Sequence, residues 1–86
     1  MKRLIEHNYE STVKRGLINH GTTYRQFFDK IYEEYEELEL AHRNEDQYNE
    51  QEELADIILT CLNYARHNNW DIEKIMNDKV DKNFQR

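Results

Sequence analysis

Two pairs of acidic residues stand at helical spacing in this sequence: Glu34 with Glu37, inside the run KIYEEYEEL from Lys30 to Leu38, and Glu53 with Asp56, inside ELAD. On a helix, residues three apart share a face with Cβ atoms about 5–6 Å apart, so each pair sets two carboxylates side by side. Like charges so placed repel. If the pairs converge across a helix–helix contact, the arrangement needs something positive between them, and hard oxygen ligands in that number suit Mg²⁺. The competing reading is a solvated charge run on a helix built from a good helix former.

Position on the helix separates the two readings. At about 100° per residue, Tyr24, Phe27, Phe28, Ile31, Tyr35 and Leu38 form one apolar stripe, and Glu34 and Glu37 fall on its flank beside Lys30 and Ala41. Glu33 and Glu36 point away to solvent. The stretch carrying Glu53 is apolar around most of its circumference through Leu54, Ala55, Ile57, Ile58, Leu59, Cys61, Leu62, Tyr64 and Ala65. Only a narrow sector with Glu53, Asp56, Thr60 and Asn63 stays polar, and Asp56 has no propensity reason to stand mid-helix. A strip of carboxylates on an otherwise apolar helix is harder to read as decoration than a charge run.

The elements that must position these residues follow from caps and breakers. A first short helix is expected from residue 3 to about 15, carrying Leu4, Ile5, Tyr9 and Val13 and ending near Gly16. Leu17 and Ile18 read as a buried connector, and Asn19-His20-Gly21 as a turn. Thr23 with Gln26 fits a capping box, Thr22 being the competing cap, for a second helix running to His42 or Arg43. Leu40, with Tyr32 near it, lies opposite the main stripe and hints at a second face that a neighbouring subunit covers. A connector over 44–49 precedes a third helix from about Glu50 to Asn68. Asp71 then caps a fourth helix from Ile72 onward.

On that last helix Ile72, Met76 and Val80 define the apolar face, with Lys79 and Asn83 within or beside it and Arg86 a turn further on. Snorkelling explains a lysine there. Equally, donors at spacings of four and three suit a phosphate chain.

Composition bounds the rest. Eighty-six residues without proline and with two glycines describe one all-α domain, and 37% hydrophobic content is little for a self-sufficient core, so oligomerisation is expected. A net charge of −6 argues against nucleic acid as a partner. The single cysteine, Cys61, is expected to be an inert core thiol. No signal peptide or membrane span is evident, so the chain is expected to be cytoplasmic, with no membrane partner.

Lys30, Glu33-Glu34-x-x-Glu37-Leu38, Glu53-x-x-Asp56 and the closing Lys79-x-x-x-Asn83-x-x-Arg86 occur in the order that resembles the MazG-like all-α nucleoside triphosphate pyrophosphohydrolases. The resemblance spans roughly residues 22–86 and implies a four-helix subunit that assembles into a helical-bundle homodimer or homotetramer. It implies conversion of a nucleoside triphosphate to the monophosphate and pyrophosphate with Mg²⁺, or Mn²⁺ in its place. The metal ligands it implies are Glu34, Glu37, Glu53 and Asp56; Glu33 matches the motif's leading acid without being a ligand position by itself. Glu37 is the candidate to orient or deprotonate water, and Lys30, Lys79, Asn83 and Arg86 are the substrate-binding candidates. Tyr24, Phe27 or Trp70 can stack a base, although aromatics at helical spacing are more often core.

Two other readings stand beside this one. An acidic helical oligomer can serve as a non-catalytic interaction module. A di-iron carboxylate bundle needs Glu-x-x-His pairs, and neither Glu37 nor Glu53 has a histidine three residues on.

Overall fold

The computed structural model describes residues 1–86 as four helices and no strand: α1 (Lys2–Lys14), α2 (Tyr24–Arg43), α3 (Gln47–His67) and α4 (Ile72–Phe84). The ends of α2 are set by local chemistry. The Gln26 amide N–H donates to Thr23 Oγ1 at 3.4 Å and the Thr23 N–H donates to Gln26 Oε1 at 2.8 Å, the reciprocal capping box expected from the sequence. Asp71 caps α4 as expected, accepting from the Lys74 N–H at 3.2 Å. The third helix begins earlier than its apolar pattern suggests. Asp46 accepts from the Asn49 N–H at 3.1 Å, and the cap starts the helix before the first apolar residue of the buried face arrives.

The first three helices end in the same way. After α1, Gly16 N–H donates to the Val13 carbonyl and Leu17 N–H to that of Thr12, a Schellman motif with Gly16 at φ +78°. Glu45 at φ +55° closes α2 through bonds from Glu45 to His42 and from Asp46 to Ala41. Asn69 at φ +58° closes α3 through bonds from Asn69 to Arg66 and from Trp70 to Ala65. These tight exits fold the chain back on itself with little connecting loop.

The α2–α3 hairpin holds most of the tertiary contact, α1 lies along α3, and α4 meets α3 only lightly. Phe27 is the anchor of the hairpin, 4% exposed, with ring centroids 5.2 Å from Tyr64 and 5.0 Å from His67. His67 Nε2 donates to the Thr22 carbonyl at 3.0 Å, which leaves Nδ1 to accept the Tyr9 hydroxyl at 2.8 Å. One ring thus ties α1 and the start of α2 to α3. A polar lattice adds to it: Asn8 Nδ2 donates to the Leu59 carbonyl and to Asn63 Oδ1, Asn63 Nδ2 donates to Thr12 Oγ1, and Thr12 donates to the Asn8 carbonyl.

Several expected burials do not occur in the single chain. Ile18 is buried but Leu17 is 60% exposed, because the Schellman turn sends the two to opposite sides. Cys61, expected in the core, is exposed, on the side of α3 that also bares Leu54 and Ile58. Tyr32 and Leu40 on α2 are likewise bare, and α4 has no buried residue at all. The radius of gyration is 14.5 Å, against about 12 Å for a compact chain of this length. The accessible surface of 7060 Å² also exceeds the about 5,500 Å² typical of a folded monomer of this mass. The helices are arranged around a face that one chain does not fill.

Candidate metal centre

Glu34 lies midway along α2 and Glu53 in the second turn of α3, so an antiparallel hairpin with a short connector brings them opposite one another. Glu37, one turn after Glu34, joins them, and one carboxylate oxygen from each of the three lies within 4.8 Å of the others. Their exposures differ: Glu34 is 5% exposed, Glu53 is half-buried and Glu37 is open to solvent. Asp56 stands outside this group. It is exposed and lines the adjoining cavity with Glu34 and Lys30. The four carboxylates expected to converge are therefore a trio with a neighbour.

Two observations mark the charge of the trio as incompletely compensated. Glu34 Oε2 and Glu53 Oε2 are buried and accept no hydrogen bond. Burial, followed by hydrogen bonding and repulsion from Glu37 and Glu34, pushes the Glu53 carboxyl up to about 7. Lys30 answers only part of the charge, with its ammonium 3.0 Å from Glu34 Oε1 and 3.8 Å from Glu33 Oε1. That hydrogen bond to Glu34 raises the Lys30 pKa, the mark of a cation held by its partner. Asp56 is raised as well, by burial first and then by the Glu34 and Glu52 charges, with Lys30 and Arg15 opposing.

Orphaned hard oxygens on facing helices are a fitting donor set for Mg²⁺ or Mn²⁺. In an octahedral Mg²⁺ site opposite ligands stand about 4.2 Å apart and adjacent ones about 3.0 Å, so a trio spread over no more than 4.8 Å must draw in by side-chain movement to share one ion. Neither histidine nor cysteine is in the group, which makes it a poor zinc site.

A cavity of about 390 Å³ opens beside the carboxylates between α1, α2 and α3. α2 contributes Phe27, Lys30 and Glu34 to its lining, α3 contributes Asp56 and Asn63, and α1 and its C-cap contribute Thr12 and Arg15. Asn63, read from the sequence as part of the carboxylate strip, is instead 6% exposed and turned toward α1. The contribution of α1 was missed. Its signal was the polar pair Asn8 and Thr12, four apart, among the apolar positions of the first helix.

Lys79 and Asn83 on α4 and Arg86 beyond its end are all exposed, and none lines this cavity. Tyr24 packs edge-on against Phe28 and Trp70 against Tyr64, each ring remaining half exposed, and of the three aromatics Phe27 lines the cavity.

The family model for the MazG nucleotide pyrophosphohydrolase domain matches residues 22–86. The chain belongs to this family. No curated protein and no solved structure matches it. The MazG region contains all three trio carboxylates, Asp56 and the whole of α4, whereas Asn8, Thr12 and Arg15 precede it. Acting on nucleotides with a divalent metal is general to MazG proteins, and the acidic trio is the cluster here that suits one.

Proposed function

We propose that this MazG protein is a Mg²⁺-dependent nucleoside triphosphate pyrophosphohydrolase, converting a ribo- or deoxynucleoside triphosphate to the monophosphate and pyrophosphate in a cytoplasmic nucleotide pool. The observation that carries this reading is the pair of buried, partnerless oxygens on Glu34 and Glu53, set beside a cavity of nucleotide scale in a chain of this family. A polyanionic substrate does not approach unshielded carboxylates, so the acids and the phosphates are compatible only through cations.

Glu34, Glu37 and Glu53 would hold the metal, with Asp56 joining them from the cavity side. When bound, Mg²⁺ offsets charge on the phosphoryl oxygens and lowers the pKa of a coordinated water. Glu37, the solvent-facing member of the trio, would orient the attacking water and take its proton. Lys30 fixes the carboxylate arm of Glu34. Water then attacks one phosphorus of the chain, the new P–O bond forms as the bridging P–O bond breaks, and pyrophosphate leaves.

The working unit in this reading is a homodimer or homotetramer. Tyr32, Leu40, Leu54 and Ile58 form apolar surface on α2 and α3 without cover, and burying it is worth about 25 cal/mol per Å². Two-fold packing lets one patch serve both partners. It also gives Lys79, Asn83 and Arg86 a route to the site of a neighbouring subunit.

Release of pyrophosphate from a panel of ribo- and deoxynucleoside triphosphates with Mg²⁺ tests the activity. Turnover of at least one, abolished by chelator, is expected; a folded protein that hydrolyses none of them overturns the reading and leaves an interaction module. Sedimentation at low micromolar concentration tests the assembly, and a stable, active monomer overturns that part.

A further inference from the structure

The cavity beside the carboxylates has two cations on its walls, and they differ in what they already hold. Lys30 is engaged by Glu34 and Glu33, its charge neutralised within α2. Arg15 takes part in none of the ion pairs of the chain and in no side-chain hydrogen bond, although a guanidinium offers five donors. Its backbone is not loose. Arg15 is the C-cap of α1 at φ −77°, ψ 0°, locked by the Schellman bonds from Gly16 at 2.9 Å and Leu17 at 3.1 Å. The backbone is thus fixed at the mouth of the cavity while the side chain keeps its donors unused.

A triphosphate entering here meets Glu34 on α2 and Asp56 on α3. Phosphate oxygens that the metal does not shield require a cation, and Lys30 is already paired with Glu34 and Glu33. The α4 residues expected to supply it from the sequence stand elsewhere in the chain. A guanidinium is suited to the task, since its planar fork matches two oxygens of one phosphate.

We propose that Arg15, which precedes the family match, binds the phosphate chain of the substrate and positions it against the carboxylate group, supplied by the same subunit that holds the metal. The proposal rests on the pyrophosphohydrolase reading above. Nothing in the MazG region assigns the residue, because α1 lies before that region.

Steady-state kinetics of Arg15→Ala, Arg15→Lys and Lys14→Ala on the best nucleotide test it, with Mg²⁺ titrations and calorimetric binding of inorganic triphosphate plus Mg²⁺ in parallel. Arg15→Ala is expected to raise KM for the nucleotide by roughly 10- to 100-fold, as for loss of a charged hydrogen bond, with a smaller change in kcat. Arg15→Lys recovers part of the loss, because charge remains without the fork. Lys14→Ala, one residue away with the same change in charge, matches wild type. The melting temperature of Arg15→Ala is unchanged, since the side chain is exposed and unpaired.

An unchanged KM in Arg15→Ala overturns the proposal while wild-type turnover keeps the hydrolase reading. A shift in Mg²⁺ requirement with no shift in nucleotide KM also overturns it, since the guanidinium then serves Asp56 alone. A wild type without turnover that binds triphosphate with Mg²⁺ through Arg15 supports the proposal and sinks the hydrolase reading; no binding and no turnover sinks both.

Discussion

Glu34 and Glu53 belong to a hairpin whose connector is only residues 44–46, whereas Lys79 and Asn83 belong to α4 and Arg86 follows it; α4 has no buried residue and meets the rest of the chain lightly, at α3 and through the ion pair of Glu73 with the N-terminal amine at 3.5 Å. In the hairpin, the turn geometry and the Phe27 anchor fix the register, so carboxylates nearly twenty residues apart in sequence arrive within bonding reach of one ion. In α4 the candidate donors are exposed and line no part of the carboxylate cavity. The proposed metal ligands thus lie within one subunit, and in the proposed assembly α4 would act on a neighbour's site.

The largest effect should come from the hairpin. Glu53→Gln or Glu34→Gln removes a carboxylate of the trio, and turnover should fall by more than the roughly 100-fold typical of residues that merely support a metal ligand. Circular dichroism should show the metal-free fold intact. Detectable Mg²⁺-dependent turnover near the wild-type rate in either variant breaks the assignment of the trio.

Next comes a direct test of the division between hairpin and helix. Lys79→Ala combined with Arg86→Ala should inactivate, yet mixing and reannealing this variant with inactive Glu53→Gln should restore about a quarter of wild-type activity. Random two-fold pairing gives each mixed dimer one site with both intact parts. No recovery on mixing would mean that α4 does not complete a partner's site.

A smaller effect concerns protons and metal. With its carboxyl at about 7 instead of 4.5, Glu53 holds a proton in the folded chain that the unfolded chain has released. The stability this group gives the metal-free protein is full below pH 4.5 and is lost as pH rises through about 7. Mg²⁺ competes with that proton, so the rise in melting temperature on adding Mg²⁺ should be larger above pH 7 than near pH 4.5. An equal rise at both would show that the ion binds away from Glu53.

The smallest effect compares the two helix exits that frame α3. Glu45 occupies the left-handed region at φ +55°, unfavourable for a residue with an ordinary side chain, while Asn69 at φ +58° tolerates it. Glu45→Gly should stabilise by about 0.5–1 kcal/mol, and Asn69→Gly by less. Urea midpoints with an unchanged m-value measure the difference. The reverse ranking would show that the hairpin connector is not the strained exit.

Much of this protein was written into local sequence. The capping box of Thr23 and Gln26, the Asp71 cap and the period of the apolar stripe act within a few residues, and they specify four helices without reference to the rest of the fold. The i,i+3 spacing likewise marks Glu34 with Glu37. What spacing does not contain is the relative rotation of helices. It paired Glu53 with Asp56, yet the rotation of α3 against α2 admits Glu53 to the trio and leaves Asp56 at the cavity wall. Asn63 has the same helical phase as the acids, but α1 lies over that part of α3 and draws its amide into the lattice with Asn8 and Thr12. Arg15 gave no sequence signal, because one arginine beside a glycine looks like any helix end. It gained a cavity wall only when Gly16 turned the chain and α1 packed beside α3, for contacts far apart along the chain depend on three-dimensional packing that no local pattern records.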